Sequence, residues 1–133
     1  EENPEIIYDG AHNPPAIENL IKTINQYYKE KQKIFIVSIL GTKDYKEIVH
    51  NLVEEYSEDI FYFTDGIDEK PFIKKEDLEK VAVETNEKGK YIIDSLENAI
   101  KEVTMKYKNS EKVIFIIGSS YIYKKVLEVL SKD

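Results

Sequence analysis

A chain of 133 residues with 41% hydrophobic and 34% charged residues is typical of a single globular domain that can bury a core. Its formal net charge of −7 disfavours binding to nucleic acid or an anionic membrane, because phosphate groups require clustered positive charge. The absence of cysteine excludes disulfides, thiolate metal sites and cysteine nucleophiles, and no apolar run approaches the ~18 residues of a membrane span.

Five short apolar runs, rich in β-branched and aromatic residues, predict strands that are buried on both faces. In chain order they are EIIY (5–8), KIFIVSIL (33–40), IFYF (60–63), YIID (91–94) and KVIFIIG (112–118). Between them, apolar residues recur at helical spacing, as Ile17, Leu20, Ile21 and Ile24 do in the first segment. This alternation predicts an α/β fold: a Rossmann-like open, mostly parallel sheet of five or six strands with helices on both faces.

The middle of the chain has a weaker pattern. Residues 65–75 predict a loop that opens with Asp65-Gly66, a pair typical of a turn, and a short helix follows from Glu76 to about Lys80. The segment VAVET (81–85) fits either a sixth strand or the end of that helix. No internal repeat or low-complexity linker interrupts the chain, so residues 1–133 are predicted to form one domain.

Glycine, histidine and hydroxyl residues collect after the predicted strands. In an open parallel sheet these loops share one edge, where ligands bind. The loops are 9–13, 41–44, 64–66, 94–95 and 118–120. Neither a G-x-G-x-x-G motif nor a P-loop is present, so the sequence does not predict a complete dinucleotide or triphosphate cradle.

Several polar residues have a purely structural interpretation. Asn13 precedes two prolines and predicts the start of the first helix. Asp44 and Asp94 are each followed three residues later by glutamate, which fits an N-cap. His50 lies in a predicted helix without a partner at metal-ligand spacing, which indicates a surface or partly packed histidine.

Two loops retain residues suited to ligand binding. Asp9 and His12 remain at the ligand edge, where a carboxylate can accept from ribose hydroxyls and an imidazole can donate to phosphate or an oxyanion. Gly118-Ser119-Ser120 joins a strand to a helix, which fits either an anion site or a simple N-cap.

The string DGAHNP at residues 9–14, between a strand and a helix, resembles the signature of one ligase family. It is similar to the C-terminal domain of folylpolyglutamate synthase and dihydrofolate synthase, members of the Mur ligase superfamily. Three further segments resemble the same domain in the expected order: SILGTKDYKEIVHNL (38–52), SLENAIKEV (95–103) and VIFIIGSSYIYKKVLEVL (113–130). The resemblance covers essentially the whole chain and is weakest over 65–90.

This resemblance implies ATP-dependent amide ligation. In such enzymes a folate or dihydropteroate carboxylate is phosphorylated, and the amino group of L-glutamate attacks the acyl phosphate. A larger N-terminal domain supplies the P-loop, the Mg²⁺ ligands and most of the folate site, and the C-terminal domain closes over ATP and helps to hold glutamate. The resemblance therefore implies no metal site in this domain, a partner domain in the same parent chain, and no activity for the isolated fragment.

Individual roles follow from the same resemblance. Asp9 and His12 match residues that lie at ATP. Lys43 resembles a lysine that meets the carboxylate of the incoming amino acid or the developing phosphate charge, and Ser119 resembles a position that helps to bind glutamate. The remaining matched residues are expected to cap helices or shape loops: Asn13, Asp44 and Gly118. Asp44 fits equally a residue that orients Lys43.

Two alternatives remain beside the folate ligase. One is the C-terminal domain of a peptidoglycan-precursor (Mur) ligase, which the Gly-Ala-His-Asn-Pro loop fits less well. The other is a stand-alone nucleotide-binding or interaction domain without catalysis, because fold does not determine function. The choice between a dihydrofolate synthase, a folylpolyglutamate synthase and a bifunctional enzyme stays open.

The start of the sequence bears on whether this chain is a stand-alone domain. The chain opens with Glu1-Glu2 and has neither an initiator methionine nor the basic and apolar segments of a signal peptide. We therefore expect a fragment of a longer protein. The lack of cysteine is compatible with a reducing cytosol, and we expect a cytoplasmic location.

Overall fold

The computed structural model describes residues 3–42 and 44–132. In these residues it contains five strands, β1 Glu5–Asp9, β2 Lys33–Ser38, β3 Ile60–Phe63, β4 Lys90–Ile93 and β5 Val113–Gly118. The helices are α1 Pro14–Tyr27, α2 Tyr45–Glu55, α3 Lys75–Thr85, α4 Leu96–Lys106 and α5 Tyr123–Leu130, with one 3-10 turn at Ser120–Ile122. In this part of the chain no helix is long and apolar enough to cross a bilayer.

The strands form one parallel sheet in the order β1-β5-β2-β3-β4. Helices α1, α2 and α3 pack on one face and α4 and α5 on the other. The predicted fold class is confirmed, with five strands.

The direction of the connections explains this division of the helices. From β1 to β4 the chain moves in one direction across the sheet, and α4 then leads it back to β5. Because crossovers between parallel strands are right-handed, a reversal of direction requires the opposite face. As a result β5 lies between β1 and β2, whose following helices α1 and α2 pack on the face opposite to α5. This divergence opens a crevice at the carboxyl end of β5.

Aromatic rings dominate the core beneath α1, α2 and α3. The Phe35 ring stacks on Phe61 at 4.8 Å and on Phe115 at 5.6 Å between ring centroids, and it contacts Tyr56 at 5.0 Å. Phe35 and Phe115 are register partners on β2 and β5. Cross-strand aromatic pairs of this kind stabilise the central part of the sheet.

The core on the opposite face is mainly aliphatic. Ile34, Ile36, Ile114 and Ile116 pack against α4 and α5. Tyr62 is buried among them and donates a hydrogen bond to the Glu102 carboxylate on α4. Burial and this carboxylate raise the pKa of Tyr62, so the phenol stays protonated and remains a donor.

Helix α3 decides the structure of residues 81–85, which the sequence left open between a strand and the end of a helix. The segment 81–85 forms its second half and is not a strand, because Val81 and Ala82 are buried beside Leu78 in the core that α2 shares. The predicted N-cap at Asp94 is wrong. The Asp94 amide still pairs with Phe63 O in the register of β3, and Ser95, one residue later, caps α4 by accepting from the Asn98 amide at 3.1 Å.

The loop from Asp65 to Lys74 is held at both ends. The Asp65 carboxylate accepts from the Lys75 amide at 2.7 Å and from Lys75 Nζ at 2.9 Å. Burial opposes ionisation of Asp65, but these bonds outweigh it and lower its pKa. Gly66 has φ +70, and a Cβ there would lie 2.6 Å from the Phe72 ring. Glycine is thus required at this turn.

The same loop covers the carboxyl end of β2. Leu40 and Phe72 form an isolated antiparallel bridge, the Gly41 amide donates to Pro71 O at 2.7 Å, and the Ile73 amide donates to Ile39 O at 2.8 Å. These bonds give residues 71–73, for which the sequence suggested only a loop, a fixed position beside residues 39–41.

Helices α4 and α5 are joined by one carboxylate. Glu97 accepts from Lys101 Nζ at 2.8 Å along α4 and from Lys125 Nζ at 3.1 Å on α5. The two hydrogen bonds hold the pKa of Glu97 at about 2, well below its ordinary value. A carboxyl whose pKa is lower in the folded state stabilises the fold above its unfolded pKa and loses that contribution as pH falls towards its folded pKa.

The Glu97 ion pairs predict a pH-dependent loss of stability. Urea unfolding midpoints of Glu97→Gln should lie below those of the wild type at neutral pH, and the difference should shrink as pH falls from 4.5 towards 2. Added salt should also reduce it, because these exposed charges are screened. Glu84→Gln, an exposed glutamate on α3, is the matched control. An offset that is constant across this pH range would contradict the assigned role.

Candidate functional site

The loops that follow β1 and β5 lie against each other at the carboxyl edge of the sheet. The Tyr8 hydroxyl donates to Ser119 O at 2.9 Å and lies 3.5 Å from Gly118 O. A Cβ placed on Gly10 would be 3.8 Å from Gly118 O, so the two backbones are close neighbours. The structure therefore brings together the two loops that carry Asp9, His12 and Ser119.

Asp9 shapes its own loop. Its Oδ1 accepts from the Ala11 amide at 2.8 Å, the Asx-turn bond that aspartate makes two residues ahead. This turn redirects the chain from β1 towards α1. It uses one carboxylate oxygen and does not use Oδ2, which keeps its capacity to accept.

His12 is exposed and bonded to the same loop. Its Nδ1 lies 3.0 Å from Gly10 O. A carbonyl only accepts, so Nδ1 carries the hydrogen and Nε2 is the second functional nitrogen. In the neutral ring Nε2 accepts a hydrogen bond, for example from a hydroxyl, and in the charged ring it donates, for example to a phosphate.

Asn13 begins α1. Its side chain accepts from the Ala16 amide at 3.0 Å, and Pro14 and Pro15 occupy the first two helical positions. This N-cap satisfies one of the free amides at the helix start, and proline suits positions without an amide partner. The cap and the Asp9 turn together fix both ends of residues 9–13.

Ser119 lies in the crevice beside β5 and is only 5% exposed. Its Oγ accepts from the Tyr121 amide at 3.2 Å, and its carbonyl accepts from the Ile122 amide at 3.1 Å. It therefore caps the turn that leads into α5. The hydroxyl hydrogen is not used by this cap and can be donated to an acceptor at the edge.

Gly118 allows the ends of β5 and β2 to lie close together. A Cβ on Gly118 would collide with the carbonyl oxygen of Ser38, its register partner on β2, and would press on Ile122 Cδ1 at 3.2 Å. A side chain at this position is excluded by neighbouring backbone, which cannot rotate away.

Two buried hydroxyls continue the polar edge from β2 to β3. Ser38 Oγ and Thr64 Oγ1 form a hydrogen bond, and Thr64 Oγ1 also accepts from the Gly66 amide at 2.9 Å. Sequence reasoning did not select Ser38. The available signal was the pair of hydroxyl residues that end or follow two neighbouring apolar runs.

The second predicted loop is described only in part. Lys43 lies outside the described residues. Asp44 occupies the N-cap position of α2, but within the described chain its side chain makes no capping bond to the first turn, and its amide is bonded to Thr42 Oγ1 at 3.3 Å.

No metal centre is formed by the residues that the structure describes, since no three histidine, aspartate or glutamate side chains converge there. His50 lies in the middle of α2 and contacts the end of α3. Its Nδ1 is 3.1 Å from Thr85 Oγ1 on α3, and its Nε2 is 3.6 Å from Glu54. It is an exposed residue of the helix layer, as its position in the sequence indicates.

A groove of about 680 Å³ opens on the α4–α5 side of the same edge. Gly66, Ser95, Tyr121 and Lys124 are among its lining residues, which do not include Asp9, His12 or Ser119. Both lysines and acidic residues line it, so its charge favours no single class of ligand.

Comparison with known protein families matches residues 1–129 to the family described as dihydrofolate synthetase, C-terminal domain. A search of curated proteins finds no significant match. Among solved structures, this chain is similar to E. coli FolC in complex with ADP, with 25% identity and a TM-score of 0.75 over 98% of this chain.

Two other solved structures share the fold. Mycobacterium tuberculosis folylpolyglutamate synthase complexed with ADP and AMPPCP is 18% identical, with a TM-score of 0.74 over 96% of this chain. The murein peptide ligase Mpl of Psychrobacter arcticus is 16% identical, with a TM-score of 0.61 over 100% of this chain. The chain spans 29% of FolC, 30% of the mycobacterial synthase and 29% of Mpl.

The close approach at Gly118 gives a test of the geometry of the edge. Gly118→Ala should lower the free energy of unfolding by about 1–3 kcal/mol, because the added methyl group forces backbone apart. Gly10→Ala, whose Cβ would meet only ordinary contacts at 3.6 and 3.8 Å, should change it within about 0.5 kcal/mol. Chemical denaturation measures both. Equal losses of unfolding free energy in the two variants would show that the Ser38 carbonyl does not restrict the side chain at position 118.

Proposed function

Because the chain belongs to the family of dihydrofolate synthetase C-terminal domains, we propose that it is the carboxyl-terminal domain of a larger ATP-dependent ligase. The proposed reaction joins L-glutamate to a folate or dihydropteroate carboxylate through an acyl phosphate. Phosphorylation converts the carboxylate into an activated acyl group that an amine can attack.

The observation that carries this proposal is the contact between the β1 and β5 loops. The DGAHNP loop supplies Asp9 and His12, and the loop after β5 supplies Ser119 beside them. One loop is proposed to serve the nucleotide and the other the amino acid, so both substrates would be held at one crevice.

The nucleotide role is supported by the chemistry of the first loop. Asp9 Oδ2 is suited to accept from a ribose hydroxyl, because the Asx turn uses only Oδ1. The bond from His12 Nδ1 to Gly10 O directs Nε2 as the nitrogen that meets a ligand. The relatives support it too, since the FolC structure contains ADP and the mycobacterial synthase contains ADP and AMPPCP.

The glutamate role is assigned to the loops that follow β2 and β5. The Ser119 hydroxyl can donate to a carboxylate, and its low exposure means that glutamate would contact it over a small area. We assign Lys43 to the carboxylate or phosphate charge, for which a flexible ammonium is suited. Mg²⁺ would neutralise phosphate charge when bound, and we propose that its ligands come from the N-terminal domain of the parent chain.

The comparisons favour this proposal over its alternatives. The TM-score is 0.75 with FolC and 0.61 with the murein peptide ligase, which favours the folate branch over a peptidoglycan-precursor ligase. The family match over residues 1–129 favours a ligase domain over a stand-alone binding domain. The use of ATP favours a cytoplasmic location.

The site assignment predicts a selective effect on ATP use in the full-length enzyme. Asp9→Ala and His12→Ala should each lower kcat/KM for ATP roughly 10- to 100-fold, the range expected when a charged hydrogen bond is lost. Asp9→Asn should keep the Asx turn but lose the charge, which separates nucleotide binding from loop folding. His50→Ala is the control, and steady-state kinetics that show equal effects of all three alanine variants would remove the assignment.

The proposal also predicts that the domain is insufficient alone. Residues 1–133 should show no measurable ATP-dependent glutamate ligation and at most weak nucleotide binding, because the P-loop and the Mg²⁺ ligands are assigned to the N-terminal domain. Calorimetric titration with ATP and a radiolabelled glutamate assay measure the two quantities. Turnover by the isolated domain would overturn the division of the site.

A further inference from the structure

Tyr8 connects the two loops of the proposed site. Backbone pairing between β1 and β5 ends at Asp9 and Ile117, one residue before Gly118. Beyond that point the Tyr8 hydroxyl reaches Ser119 O at 2.9 Å, a bond between residues 111 positions apart in the chain. It thus extends the attachment of the two strands past the end of their ladder.

The surroundings of Tyr8 hold its ring in place. The ring contacts Tyr123, the first residue of α5, at 4.9 Å between centroids. Burial and the neighbouring Asp9 charge raise the pKa of Tyr8, so the hydroxyl keeps its hydrogen. Tyr8 is therefore a permanent donor with a restricted orientation.

Ser119 is consequently held from three sides. Its carbonyl accepts from both the Tyr8 hydroxyl and the Ile122 amide, and its Oγ accepts from the Tyr121 amide. A carbonyl oxygen has two lone pairs, so these two donors saturate it. The direction in which the Ser119 hydroxyl points depends on this arrangement.

We propose that Tyr8 is a positioning residue for glutamate, which it orients by fixing Ser119 against the loop that carries Asp9 and His12. The inference rests on the proposed function, since it assigns Tyr8 to the glutamate side of that site. Tyr8 does not touch the reacting atoms. It sets the distance between the nucleotide loop and the amino-acid loop.

Tyr28 provides a matched control. Its hydroxyl donates to Glu5 Oε2 at 2.9 Å, the same distance, at the opposite end of β1. Tyr28→Phe and Tyr8→Phe therefore remove the same atom from two bonds that both hold β1. Only Tyr8 lies at the proposed site, so a general effect on the strand and a specific effect on glutamate are separable.

The test uses the full-length enzyme and a double-mutant cycle. Tyr8→Phe should raise the KM for glutamate roughly 3- to 10-fold with little change in kcat, the range expected for one neutral hydrogen bond. Tyr28→Phe should leave this KM unchanged. In a Ser119→Ala background Tyr8→Phe should have almost no further effect, because the two residues act as one unit. An unchanged KM, or the same factor in both backgrounds, would overturn the proposal.

Hydrogen exchange of the same enzyme gives a readout that does not need activity. Tyr8→Phe should accelerate exchange of the Tyr121 and Ile122 amides, which are both bonded to Ser119, and Tyr28→Phe should not. If the wild type shows no glutamate ligation, the proposed function fails while this measurement still decides whether Tyr8 fixes the loop. Unchanged exchange would overturn the positioning role whatever the activity.

Discussion

Strand β5 pairs with β1 on one side and β2 on the other, and every residue from Val113 to Gly118 is buried. Both aromatic and aliphatic cores depend on this strand, since Phe115 belongs to one face and Ile114 to the other. The crevice at its end exists because α5 leaves on the face opposite to the helices that follow β1 and β2. Gly118 then lets β2 approach closely enough for the ladder to continue to the edge. The position of Ser119 is therefore a consequence of how the whole sheet is assembled.

Much of this architecture was predictable from the sequence, for a physical reason. Strands buried on both faces require continuous apolar runs, and such runs have clear ends, so each of the five predicted strands overlaps an observed one. The sequence left VAVET open between a strand and the end of α3, because it is compatible with both and only packing against α2 decides between them. The cap of α4 was placed one residue early because Asp94 and Ser95 are both good caps. The β-ladder with Phe63, which is a tertiary contact, settles which one is used.

The candidate site was also predictable only in part from the sequence. The topology places the loops of Asp9, His12 and Ser119 at one edge, and this much follows from the order of strands and helices. The sequence does not show which side-chain atoms form hydrogen bonds within the loops. Asp9 Oδ1 bonds to the Ala11 amide in the Asx turn, and His12 Nδ1 bonds to the Gly10 carbonyl. Local sequence does not show the Tyr8 bond either, because it joins residues from the two ends of the chain. Such bonds depend on side-chain directions that only the assembled sheet defines.

The buried hydroxyl pair at the edge also determines how β2 and β3 align. Ser38 and Thr64 follow directly on the last register pair, Val37 and Phe63, and satisfy each other inside an otherwise apolar layer. A slide of β3 by one residue in either direction would separate Ser38 from Thr64 and break their hydrogen bond. In one direction Ser38 would face Phe63 and Thr64 would face Ile39, which would leave the Ser38 hydroxyl buried without this partner. Aliphatic and aromatic side chains alone tolerate several alignments, because their attraction has no direction. The hydrogen bond between these two hydroxyls therefore favours the observed register of β2 and β3 over registers shifted by one residue.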